Sequence, residues 1–115
     1  MGGYFGGRRP EDGRIPPNAG ARQIHDLVRA LAPPYPCAFL ELNGRRLLIE
    51  RTRREPGAGE PGALRMASDG AAIRLHAADG GVLRVLAARF EDDMQTLDAA
   101  GFEARLGARS VHADT

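Results

Sequence analysis

Apolar residues recur along this chain in two rhythms, one near 3.6 residues and one near two. The first rhythm lies within the stretch Gln23 to Phe39, where Ile24, Leu27, Val28 and Leu31 fall at i, i+3, i+4 and i+7. Arg22, His25, Asp26 and Arg29 take the opposite face, which predicts an amphipathic helix lying on a core. Asn18 is the expected N-cap. Pro33, Pro34 and Pro36 hold the backbone extended, so the helix must stop by Leu31 or Ala32.

The second rhythm follows at once. Ala38 to Leu42 reads as a strand, Asn43-Gly44 is a strong hairpin turn signal, and Arg45 to Arg53 is the partner strand. Glu55 to Gly62, with two prolines and no period, predicts an exposed loop. Ala63 to Ala67 resumes alternation, Ser68-Asp69-Gly70 turns into Ala71 to His76, and Asp79-Gly80-Gly81 turns into Val82 to Ala88. Glu91, Asp92 and Asp93 then precede Met94 and Leu97 at helical spacing, which predicts a helix closed by Gly101. Phe102 to Leu106 reads as one further turn before Gly107, and Ala108 to Thr115 as a frayed tail. The sum is a mainly β chain with flanking helices (α+β), five short antiparallel strands forming a small open OB-like barrel.

Composition narrows the chemistry. At 115 residues the chain is of single-domain size, and one cysteine, Cys37, excludes an internal disulfide framework. No apolar run approaches the roughly 20 residues of a membrane-spanning helix, and no signal-peptide core is present, so the expectation is a soluble, cytoplasmic domain with no membrane contact. All 16 basic residues are arginine, against 15 acids. The absence of lysine excludes Schiff-base chemistry and a P-loop lysine.

Residues 1–20 are rich in Gly, Pro and charge and read as a linker or arm, with Tyr4, Phe5 and Ile15 as apolar anchors; residues 21–115 read as the domain proper. Within the arm, YFGGRRPEDGRI from Tyr4 to Ile15, followed by LVRALAPPYPCAF, resembles the linker and C-terminal domain of the methionyl-tRNA and sugar N-formyltransferase family. The likeness is nearest to the branch that formylates UDP-4-amino-4-deoxy-L-arabinose, which implies a role in lipopolysaccharide modification. It implies the same OB-like architecture and a partner, in cis or in trans: an N-terminal Rossmann-like catalytic domain that binds formyltetrahydrofolate. The Asn, His and Asp of that catalytic domain have no counterpart here. No catalytic, cofactor-binding or metal-binding residue is therefore carried over, and no formyl transfer is expected from this chain alone. Two departures stand out: Cys37 occupies a position usually held by Gly, and Ile15-Pro16-Pro17 replaces an Ile followed by Asp-Trp.

The residues give few alternatives. His25, His76 and His112 lack metal-ligand spacing, and Cys37 sits in PYPCAF without a cationic neighbour in sequence. Glu91 to Asp93 lack calcium-loop spacing. Arginine is the informative type. Tyr4, Arg8, Arg9 and Arg29 are candidate contacts to the catalytic domain or its anionic nucleotide-sugar substrate. Arg51, Arg53 and Arg54 are candidate polyanion contacts, with Arg65, Arg74 and Arg84 expected to extend a basic stripe over the following strands. Three readings remain: a non-catalytic accessory domain of a sugar N-formyltransferase, a free-standing module binding RNA or tRNA, and a remnant domain without function.

Overall fold

The structure, a computed structural model, describes residues 13–33, 35 and 37–114. One helix, α1 (Ala21–Ala30), is followed by strands β1 (Ala38–Leu42), β2 (Arg45–Ala58), β3 (Arg65–Ser68), β4 (Ile73–His76) and β5 (Gly81–Phe90), a short helix α2 (Phe102–Leu106) and β6 (Ser110–His112). The strands form a single antiparallel sheet in the order β1-β2-β5-β4-β3-β6, curled into a half-barrel. The expected mainly β architecture with flanking helices is what forms.

Helix α1 ends at Ala30 with Leu31 as C-cap, as the prolines require. Ile24, Val28 and Leu31 are buried while Arg22, Asp26 and Arg29 are exposed, so the helical face assignment holds. Its N-terminus differs from expectation. Gly20, not Asn18, is the N-cap and makes no side-chain cap. Asp79, from the turn before β5, supplies the missing acceptor: its Oδ1 takes the N–H of Ala21 at 3.3 Å and of Gly81 at 2.9 Å. A Cβ on Gly81 would lie 2.5 Å from the Ala21 Cβ, so glycine there lets β5 start directly beneath the helix. The β1–β2 turn has Asn43 at φ 53° and Gly44 at φ 78°, the geometry that matches strand twist.

The chain before α1 is part of the packing. Arg14 bridges Phe39 in parallel, and the Ile15 N–H donates to the Phe39 carbonyl at 2.8 Å. Ile15 and Ala19 are buried in the core. On the outer side, Arg14 and Arg46 lie 4.9 and 4.0 Å from the Phe39 ring centroid, covering a side chain that alternation turns away from the core.

The strand pattern departs from expectation in three places. Glu55 to Ala58 extends β2 instead of opening a loop; the ladder breaks register between Arg54 and Ala58, around Pro56, and Ala58 then pairs with Gly81. The helix expected after Glu91 does not form. Phe90 N–H donates to Gln95 O, Leu97 N–H to Ala88 O, and Arg89 bridges Thr96, so the chain folds back along β5. Arg45 holds Asp92 through two bonds of 2.9 and 3.0 Å and reaches Asp93 at 3.3 Å, while Met94 adopts φ 56°, outside the helical region. Those carboxylates find a guanidinium on the neighbouring hairpin and not a helix dipole. Gly101 consequently precedes α2 instead of ending a helix. The tail expected to fray carries β6, with Val111 opposite Met66, and Asp114 N–H donates to the Glu41 carbonyl at 2.7 Å. That bond draws the end of the sheet back toward β1.

The core gathers Ile24 and Val28 of α1 with Leu47, Ile49, Met66, Leu75, Leu83 and Phe90. Phe90 is fully buried, and Arg45 lies 3.9 Å from its ring centroid. Phe90→Ala should destabilise the domain by about 3–5 kcal/mol in chemical denaturation.

Asp69 fixes the β3–β4 turn. Its Oδ1 accepts from Ala71 and Ala72 N–H, and its Oδ2 pairs with Arg74 at 2.8 Å. These bonds, the backbone pair first, hold its carboxyl well below the usual carboxylate range. Because the folded pKa is depressed, the stabilisation is present above the unfolded pKa of about 3.9 and disappears as pH falls through the folded value. Asp69→Asn should therefore lower Tm at neutral pH, with the gap to the parent chain closing in melts taken progressively below about pH 4.

Candidate functional site

Strands β2 and β5 change the face they bury at the same level of the sheet. In β2, Leu47 and Ile49 point inward, but the next inward residue is Thr52; in β5, Leu83 and Val85 point inward, then Ala88 and Phe90. The pairing runs Ile49 with Ala88, Arg51 with Ala87 and Thr52 with Val85, leaving Glu50 and Leu86 without direct partners. This bulged ladder bends the sheet and re-aims its side chains. Leu86 is left 43% exposed, one of three large hydrophobic residues so placed among the described residues.

A groove of about 540 Å³ opens at this level between α1 and β2. Its helix wall is His25, Val28 and Arg29, and its sheet wall is Arg51, Thr52, Arg53, Arg54 and Leu86. His25 Nδ1 lies 2.7 Å from Thr52 Oγ1, tying the two walls together. The structure thus brings Arg29, read from sequence as a domain contact, together with Arg51, Arg53 and Arg54, read as polyanion contacts. Tyr4, Arg8 and Arg9 lie outside the described residues.

The charge of this groove has no ion-paired acid among the described residues. Ion pairs engage Arg14 and Arg46 with Glu41, Arg45 with Asp92 and Asp93, Arg74 with Glu55 and Asp69, Arg89 with Glu50, and Arg109 with Glu103. Among the described residues, none of Arg29, Arg51, Arg53 and Arg54 has a carboxylate at ion-pair distance. Of the arginines expected to extend a stripe across the strands, Arg65 falls out of register and stands opposite His76. Arg53 stands directly opposite Arg84, and Arg84 opposite Arg74, so three arginines stand in register on β2, β5 and β4. Like charges in direct cross-strand register are destabilising. Glu55 and Asp69 relieve the repulsion at Arg74 alone.

The other sequence candidates do not assemble. His76 and His112 face Arg65 from either side in the ladder, and burial, followed by Arg65 and Arg74, pushes the His76 imidazole below its ordinary pKa. Among the described residues no three His, Cys, Asp or Glu side chains converge as metal ligands would. Cys37 is buried, and desolvation, then the charge of Glu50, raises its thiol pKa, with Arg89 acting weakly against them. Cys37 is not among the positive-φ residues, so a side chain is tolerated where the family usually has glycine. No described helix is long and apolar enough to cross a membrane.

The sequence model described as formyl transferase, C-terminal domain, matches residues 8–104. The chain belongs to this family. Among solved structures, HypX from Aquifex aeolicus shares the fold at a TM-score of 0.62 and 19% identity, over 87% of this chain. The match spans 18% of the HypX chain, so this formyl transferase C-terminal domain corresponds to a small part of that larger protein.

The groove was only partly visible in sequence. Leu86 and His25 carried no signal of their own, because Leu86 is exposed by a bulge and His25 reaches Thr52 across 27 positions of chain.

Proposed function

We propose that this chain is a non-catalytic accessory domain of a sugar N-formyltransferase, of the kind that acts on UDP-4-amino-4-deoxy-L-arabinose, docking on a Rossmann-like catalytic domain in cis or in trans. The observation that carries the reading is the gathering, at one groove of a domain whose family is that of formyl transferase C-terminal domains, of Arg29, Arg51, Arg53 and Arg54, none of which has a carboxylate at ion-pair distance among the described residues. Guanidiniums exposed to water without a carboxylate partner add little to the fold, so on this reading their value lies in a contact made outside it. Formyltetrahydrofolate chemistry belongs, on this reading, to the catalytic partner, in the cytoplasm. Tyr4, Arg8 and Arg9 of the arm, which lie outside the described residues, are on this reading further contacts to the catalytic domain or its nucleotide-sugar substrate.

Mixing the chain with a separately produced sugar N-formyltransferase catalytic domain should give a measurable Kd by calorimetry. Arg29→Ala, and Arg8→Ala with Arg9→Ala, should each weaken it about tenfold, near 1.4 kcal/mol. Unchanged affinity would remove the interdomain role.

The in-register arginines on β2, β5 and β4 favour a second reading, an OB-like module that holds RNA or tRNA by its phosphates. It predicts tRNA binding that weakens steeply with salt and that drops when Arg51, Arg53 and Arg54 are changed to Gln. No binding in filter assays at low ionic strength would end it.

A further inference from the structure

The cationic groove is not evenly polar. Leu86 is 43% exposed beside Arg51, Arg53 and Arg54, held there by the bulge that leaves it without a partner in the β2–β5 ladder. Guanidiniums alone would serve phosphate or carboxylate equally well. Two further features distinguish the two.

Single-stranded nucleic acid is held by aromatic platforms as well as by charge, each base stacking on a ring. Among the described residues the groove is lined by no phenylalanine or tyrosine: Phe39, Phe90 and Phe102 are buried elsewhere, Tyr35 lines a different cleft, on the outer face beside Phe39 and Leu48, and the one ring present, the His25 imidazole, is held against Thr52 Oγ1 at 2.7 Å. An exposed leucine, by contrast, offers a desolvated contact to an apolar side chain. Leucine flanked by arginine complements a protein segment that carries carboxylates around one apolar residue.

Resting on the accessory-domain reading, we infer that the groove formed by Arg29, Arg51, Arg53 and Arg54 around Leu86, with Arg84 at its margin, docks an acidic protein segment bearing a single apolar anchor. The carboxylates satisfy guanidiniums that have no acidic partner among the described residues. The anchor covers Leu86. The segment belongs to the surface of the catalytic partner.

The test uses a fluorescent peptide of glutamates flanking one leucine, its serine-substituted twin and a short oligouridine RNA, each titrated with the chain by anisotropy. The leucine peptide should bind, and either the serine twin or Leu86→Ser should weaken binding about tenfold. Leu86→Met should restore it, and because position 86 is exposed these variants should melt like the parent. Arg51→Gln with Arg53→Gln should reduce the salt dependence of peptide binding, with Arg29 and Arg54 carrying the remainder. Equal binding of the two peptides, or RNA binding that the leucine peptide does not displace, overturns the inference. The same variants are then titrated against the catalytic domain. Binding there that survives Leu86→Ser overturns the apolar-acidic chemistry and leaves the accessory-domain reading standing; peptide binding without any affinity for the catalytic domain supports the groove chemistry and removes that reading.

Discussion

The long antiparallel ladder between β2 and β5 is the constraint on which the remainder of the structure depends. It runs from Leu47 opposite Phe90 to Ala58 opposite Gly81, and both strands switch the face they bury part-way along it. A strand has a side-chain period of two, so a single unpaired residue reverses which face every later residue occupies. Both strands must take up the slip at the same level, Glu50 on one and Leu86 on the other, for the core to stay apolar. The lower half then packs Leu47, Ile49, Ala88 and Phe90 together, and the upper half turns Thr52 and Val85 inward beside α1. The groove is a by-product of that switch, with Leu86 displaced into solvent and arginine lining the sheet wall.

Electrostatics divides the surface into two parts. One end is neutralised: Arg14, Arg45 and Arg46 cover Phe39 and Phe90 while sharing Glu41, Asp92 and Asp93, so charge and ring burial support one another. The other end, among the described residues, leaves Arg29, Arg51, Arg53 and Arg54 without acids at ion-pair distance and sets Arg53 against Arg84 in register. Exposed ion pairs contribute little to stability individually, so their absence costs the fold little. The asymmetry therefore separates a face whose arginines are held by acids and rings from a face whose arginines have no such partner among the described residues.

Several elements were legible from residue order. The heptad-like spacing of Ile24, Leu27, Val28 and Leu31, the proline stop and the Asn43-Gly44 turn are local signals, and each produced the element it predicts. The helix expected at Glu91 to Gly101 failed because a distant guanidinium, Arg45, competes for Asp92 and Asp93, and the backbone of β5 offers hydrogen bonds that a helix would forgo. β6 was invisible for a similar reason: Ser110, Val111 and His112 have no period of their own and become a strand only because β3 presents an unpaired edge. Asp79 capping α1 from 58 positions away belongs to the same class.

The sequence by itself determined the amphipathic helix, the first hairpin, the succession of short strands, the mainly β class and, through its arm and proline block, the family. Those features follow from interactions between residues close in the chain, where spacing alone dictates which face is apolar and which turn is allowed. Only the tertiary structure decided that Arg29 stands beside Arg51, Arg53 and Arg54, that Leu86 is exposed among them, and which arginines find acids. Register between distant strands and a one-residue slip in their ladder set those juxtapositions, and neither leaves a trace in local sequence.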